Sequence, residues 1–533
     1  MNSELVTPEP REPRKRKARR TLDMGPWVRA RKTVQVVALL TFALLFLWSR
    51  QSGWPGGVVN LPMRLDPLLV LMQSIASRTL LAGSALALLV LVGTLVFGRF
   101  WCGWLCPLGT TLDLVAPRSR SRQQPRIPDR WRSLKYVLLL TTLAAALFGN
   151  LTLLFLDPLT IFQRTLTVGV WPALNQAVTA AEAVLFQVPA LADPVSLLDS
   201  WLRPVVLPIN PAYYRDALLF ASLFLAVVLL DLLAPRFWCR YLCPLGALLG
   251  LLSKPALFQR RLKQECKGCT LCTELCPTGT VDPGKGYASD PGECTMCMEC
   301  LATCPRGLAT FAPQVSMAKW NDYDPSRRDA LLALGTGVAA VALFRSDALV
   351  ARPSPTLLRP PGVPDLNPDL VAFTRCTRCS ECMRVCPTGG LQPAVGEAGI
   401  AGFGSPLLVP RLGYCDYSCN ACGQVCPVQA IPPLTVAEKR TQVIGVAYID
   451  ENRCIAWSDH TPCIVCQEMC PLPNKAVWLE DALVLNPDGT QVSLQLPHVL
   501  RDVCIGCGIC EYKCPVNGQA AIRVYNTRGG AQV

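Results

Sequence analysis

Cysteine spacing is the chemistry that this sequence displays most openly. Cys266, Cys269, Cys272 and Cys276 follow C-x₂-C-x₂-C-x₃-C-P, and Cys294, Cys297, Cys300 and Cys304 repeat it. Cys376, Cys379, Cys382 and Cys386 match it unchanged, as do Cys504, Cys507, Cys510 and Cys514. Cys415, Cys419, Cys422 and Cys426 widen the first gap to three residues, and Cys454, Cys463, Cys466 and Cys470 widen it to eight. Every quartet ends in Cys-Pro. Three thiolates on one tight loop can hold three corners of an iron–sulfur cube, while the fourth reaches the neighbouring cluster. Disulfide frameworks have irregular spacing and no fixed Cys-Pro ending. Structural zinc uses two separated C-x₂-C knuckles, usually with His. The quartets therefore predict six [4Fe–4S] clusters.

The remaining four of the 28 cysteines sit in a repeated phrase, "RFWCGWLCPLG" at Arg99–Gly109 and "RFWCRYLCPLG" at Arg236–Gly246. Cys102 and Cys106, like Cys239 and Cys243, are four apart and share a face if the segment is helical. The repetition predicts two helical hairpins about a pseudo-twofold axis, so that four thiols converge. Three roles stay open for them: a seventh metal centre, a thiol–disulfide couple, or the wall of a quinol pocket with Trp101, Trp104, Trp238 and Tyr241. These aromatics read first as residues of an interfacial belt.

Both phrases stand where apolar runs end. Thr33–Trp48, Thr79–Gly98, Tyr136–Leu156 and Ala217–Ala234 carry a single charge among them, Asp231, and approach the length of about 17–25 residues that a bilayer core requires. Lys and Arg number ten in Met1–Lys32 and eight in Arg99–Lys135, against three each in Ser49–Arg78 and Asp157–Asp216. Positive-inside bias then puts the N-terminus, the second loop and the chain after Ala234 in the cytoplasm. The basic arm is read as a topology signal that touches anionic lipid, with no nucleic-acid partner. The formal charge of +13 points the same way, because six clusters of about −2 each bring the total close to neutral.

A second crossing is expected in mid-chain. "SRRDALLALGTGVAAVALFRS", Ser326–Ser346, has twin arginines before a short apolar run, and a proline-rich stretch follows it. Twin-arginine export moves proteins already folded around cofactors. The predicted fold is thus multidomain, combining an α-helical membrane domain of four spans and a short fifth hydrophobic segment with α+β ferredoxin-like domains. The boundaries are 1–32 for the basic cytoplasmic arm, 33–258 for the membrane domain and 259–312 for a two-cluster ferredoxin domain. Residues 313–345 form the twin-arginine-like segment, 346–370 a linker, and 371–533 a four-cluster domain expected in the periplasm. "TQVIGVAYID" and "ALVLNPDGTQVSLQL" are expected to be strands, the second with an Asp-Gly hairpin turn.

Taken in order, these parts resemble known proteins. The four-span region with two C-x₃-C-P motifs and a trailing two-cluster ferredoxin looks like NapH of periplasmic nitrate reduction. The twin-arginine segment with four quartets, including "GVAYIDENRCIAW" before the third, looks like its partner NapG. The MauN and MauM proteins of methylamine utilisation look similar. Here the two partners are one polypeptide. The resemblance implies a bacterial inner-membrane quinol dehydrogenase that passes electrons from the quinone pool to a periplasmic reductase or carrier.

Residues outside the cysteines narrow the chemistry further. The sequence contains no G-x-G-x-x-G after a strand, no Walker loop and no C-x-x-C-H. His460 and His498, its two histidines, both fall in the last domain and read as packing residues. No terminal catalytic centre is evident, so the chain reads as an oxidoreductase component that accepts electrons and hands them on. Two rival readings remain: a metal-reducing assembly factor of the membrane-ferredoxin type, and a docking scaffold with structural clusters.

Overall fold

The computed structural model describes residues 25–48, 60–79, 83–116, 127–207, 212–313 (without 265, 267 and 268), 331–342 in part, 357–363, 375–485 (without 401) and 491–526. Most of the basic arm, the twin arginines, much of the linker and the Asp-Gly turn lie outside them.

The first body is helical: α1 (Pro26–Trp48), α2 (Pro67–Ser77), α3 (Ala85–Phe97), α4 (Pro107–Val115), α5 (Ser133–Leu147), α6 (Pro158–Thr165), α7 (Trp171–Leu185), α8 (Pro189–Val205), α9 (Ala217–Leu229) and α10 (Pro244–Leu252). Four of these helices begin at the Pro of an Asp-Pro or Cys-Pro step, where a missing N–H costs nothing. Asp66 caps α2 through the Leu68 and Leu69 N–H groups at 2.8 and 3.3 Å. Asp157 caps α6 through Leu159 and Thr160, both at 3.0 Å.

Among the described residues, α1 is the one helix long and apolar enough to cross a membrane. The other three expected spans are shorter than the sequence suggested, at 13 residues in α3, 15 in α5 and 13 in α9. Their ends have local causes. Gly98 takes φ +67° and stops α3. Gly149 takes φ +76° after α5, and the Asn150 carboxamide then accepts the Thr152 N–H at 2.8 Å, opening a separate 3₁₀ turn at Thr152–Leu156. A glycine in the left-handed region is a common way to end a helix. Residues 334–339 of the fifth hydrophobic segment are helical and lie on α5, where Thr336 Oγ1 is 3.2 Å from Thr141 Oγ1.

The helical core gathers Leu68 and Met72 of α2, Leu108 and Leu112 of α4, Leu159 of α6, and Leu245 and Leu249 of α10. The two cysteine-rich bodies lie against opposite parts of it. The first pairs β1 (Phe258–Leu262) antiparallel with β4 (Ala309–Pro313), and β2 (Val281–Asp282) with β3 (Ala288–Ser289). It rests on Arg31, Arg99, Trp104 and Lys135, with Trp104 donating to the Met296 carbonyl at 3.0 Å.

The second body pairs β5 (Leu391–Pro393) with β6 (Pro406–Leu408), β7 (Val446–Ile449) with β10 (Ile522–Tyr525), and β8 (Val477–Leu485) with β9 (Gln491–Val499), all antiparallel. The expected strands are present: β7 lies in the first quoted stretch, and β8 and β9 pair from Val477↔Val499 to Leu485↔Gln491. This body rests on the segment before α2, on α2 itself and on α6. Asn60 donates to the Val425 carbonyl at 2.5 Å, Gln73 to that of Val428 at 3.2 Å, and Gln163 to Glu381 at 2.5 Å.

Candidate metal centres

Three of the cysteine loops are wound tightly enough to force the backbone into the left-handed region. The residues flanking the second cysteine adopt positive φ in three loops: Met296 and Met298, Arg378 and Ser380, Gly506 and Gly508. For the four non-glycine residues this costs about 1–2 kcal/mol each, an expense found where a site demands the geometry. Backbone N–H groups also point at sulfur. Arg378 N lies 3.4 Å from Cys376 Sγ, Ala447 N 3.4 Å from Cys504 Sγ, and Leu308 N 3.3 Å from Cys304 Sγ. Such donors stabilise a thiolate.

The quartets exchange their last members. Cys376, Cys379 and Cys382 line one cavity with Cys426 of the next quartet. Cys415, Cys419 and Cys422 gather around Cys386. Cys454, Cys463 and Cys466 line a cavity with Cys514, while Cys504, Cys507 and Cys510 gather with Cys470. In the first body Cys294, Cys297 and Cys300 gather with Cys276. The sequence predicted an exchange in general, and the structure supplies the partners.

Burial pushes the Cys294 thiol up to about 12 and the Cys300 thiol up to about 11. Such groups are neutral without a cation, and iron would hold them as thiolates. All 28 cysteines are free, and among the described residues no three His, Cys, Asp or Glu are arranged to hold a single ion. Four thiols per group with no histidine among them is the donor set of a four-iron cube, so these residues suit it.

The four motif cysteines converge as the repeat predicted. Cys102, Cys106, Cys239 and Cys243 are 7, 5, 7 and 3% exposed and share one core cluster, which also holds Cys379 and Val428 of the last body. Cys106 and Cys243 precede α4 and α10, and the Cys243 sulfur accepts the Gly246 N–H at 3.1 Å. Trp101, Trp238 and Tyr241 are buried rather than set in an exposed belt, because the motif turns pack inward against the hairpins.

Sequence reading missed the charges that hold this centre. Arg99 and Arg236 occupy equivalent places in the repeat, and both are fully buried. Each reaches across to the other copy: Arg99 Nη2 to the Cys239 carbonyl at 3.4 Å, Arg236 Nη1 to the Cys102 carbonyl at 3.2 Å. Arg236 also grips Asp113 with two bonds, at 2.9 and 2.6 Å. Arg99 and Lys135 meet Glu293 at 3.2 and 2.5 Å. The available signal was the identity of the two arginines within a phrase read only for its cysteines and aromatics.

Asp66 and Asp157 were also missed, although "LDPL" occurs twice, at Leu65–Leu68 and Leu156–Leu159. Each carboxylate caps its helix with one oxygen, and the two carboxyl groups lie buried against each other. Of the two histidines, His498 stacks on Trp478 at 4.9 Å and presents Nε2 to Glu480 at 2.8 Å, a packing role.

A family model described as a 4Fe-4S binding domain matches residues 79–125 and 217–264. The chain is 35% identical over 210 residues to the methylamine utilization ferredoxin-type protein MauM of Methylorubrum extorquens, covering 38% of this chain and 89% of that protein. It is 32% identical over 203 residues to the ferredoxin-type protein NapG of Escherichia coli, covering 37% and 82%. Protein NirI of Paracoccus denitrificans is 30% identical over 232 residues, 40% of this chain and 27% of NirI. No solved structure matches.

Proposed function

The chain belongs to the ferredoxin-type family of MauM and NapG, and on that premise we propose that it oxidises quinol in a membrane and conducts the electrons to a periplasmic acceptor. It is an iron–sulfur electron-transfer protein related to the Mau, Nap and Nir proteins. The proposal adds six clusters, held by the 24 quartet cysteines, and a bacterial inner-membrane location. Bound cubes would supply one-electron redox steps, which suit the stepwise delivery of a two-electron donor.

The protein's own part is to order and insulate the sites. The observation that carries the reading is their succession. The Cys376–Cys379–Cys382–Cys426 group abuts the helical core, where Cys379 is packed. The next group follows through the exchanged Cys386. Cys415 N then donates to the Cys507 carbonyl at 2.9 Å, joining it to the following group. Exchanged Cys470 and Cys514 link that group to the last.

Two features support the membrane topology. Helices α1, α3 and α9 carry apolar side chains outward, Leu40, Leu89 and Leu218 among them. The arginine-poor loops contact the four-cluster body, whereas the arginine-rich loop contacts the two-cluster body. This partition matches the charge bias of the sequence.

The test is anaerobic protein in proteoliposomes, followed optically after addition of a reduced quinone analogue. Bleaching of the cluster absorbance supports quinol oxidation. Reduction of copper with no response to quinol would instead mark a metal-reducing assembly factor, and clusters inert to every donor would mark a scaffold.

A further inference from the structure

We infer that Cys102, Cys106, Cys239 and Cys243 are the four ligands of a seventh iron–sulfur cube, assembled from two half-sites and seated between the two cluster-bearing bodies. The inference rests on the electron-transfer reading and adds to it the element that joins its two ends.

Each half of the repeat brings only two thiols, too few for a cube. The 4Fe-4S model likewise matches two separate segments, each holding one C-x₃-C-P pair. The structure brings the halves together: Cys102 and Cys239 lie beside both Cys106 and Cys243, and all four are buried. The crossed arginines fix the halves to each other.

A further observation, independent of the thiols, points to an occupant. The indole N–H groups of Trp101 and Trp238, equivalent in the repeat and buried, have no partner in the described structure. Buried donors of this kind are rare unless something polar, sulfide included, completes them.

The position suits a relay. On one side, Gly103 packs so closely on Thr295 of the Cys294–Cys297 loop that a Cβ would overlap its carbonyl oxygen. On the other, Cys379 and Cys426 join the same core as the four thiols. A one-electron carrier here is reduced by a cluster on one face and reoxidised by a cluster on the other.

Iron and sulfide analysis with Mössbauer and EPR spectroscopy on the anaerobically purified full chain tests the inference. About 28 irons per wild-type chain are expected, falling to about 24 in the Cys106→Ser/Cys243→Ser variant with the remaining signals retained. A wild-type count of about 24 with four alkylatable thiols, or zinc at this site, overturns the inference and leaves the six-cluster reading intact. An unchanged count and spectrum in the variant overturns it equally. Should the variant fail to fold, the wild-type count decides.

Discussion

Arg236 shows how one side chain holds two elements and a site together. Its guanidinium meets Asp113 side on while its third nitrogen reaches the Cys102 carbonyl. Burial alone would raise the Asp113 carboxyl, but the charge and hydrogen bonds of Arg236 outweigh it and hold the group at about 2. A folded value below the ordinary one means that this ion pair stabilises the protein above about pH 4 and loses its contribution as the pH falls towards 2. Arg236→Ala leaves the Asp113 carboxylate only Arg31 and Gln35 and should cost up to about 3 kcal/mol in denaturant unfolding. Arg236→Lys, which keeps the charge but not the two-pronged grip, should fall between.

The Asp66 carboxylate offers a second residue-scale test. Asp66→Ala loses the α2 cap and should cost about 0.5–2 kcal/mol, whereas Asp66→Asn retains a capping oxygen and should cost far less. Thermal melts of the two variants separate the outcomes.

Among elements, contact between the motif turn and the ferredoxin loop depends on one small residue. Gly103 lies against the Thr295 carbonyl, and backbone cannot yield as a flexible side chain would. Gly103→Ala is expected to push the Cys294–Cys300 loop away from the helices. Hydrogen exchange should then rise several-fold in residues 290–300, with little change in β8 and β9, which the substitution does not touch.

Some elements were plain in the sequence. The quoted stretch with its Asp-Gly signal pointed to the β8–β9 hairpin. Helix ends were less legible. An apolar run records what may be buried, not where a backbone turns, and only φ at Gly98 and Gly149 reveals that α3 and α5 stop early. The crossed arginines were illegible for a similar reason: a basic residue beside an apolar run reads as a topology signal until its buried carboxylate partner, distant in sequence, is known.

Across the whole molecule, the exchange of cysteines gives the cluster assignments a direct test. Cys426→Ala and Cys382→Ala lie in different quartets but should perturb the same EPR signal. Cys386→Ala should share its effect with Cys415→Ala instead. If each quartet bound its own cube, Cys426→Ala and Cys415→Ala would coincide. Fold and wiring thus differ in legibility: spacing picks out the quartets, but only the folded chain shows which loop's last cysteine sits beside which three.

That exchange also restricts how such a chain can be built. With clusters bound as proposed, neighbouring loops lend each other a sulfur, so neither can be lost, copied or transplanted singly without leaving its neighbour one ligand short. The heritable module is the couple, and the four loops of the last body amount to two of them.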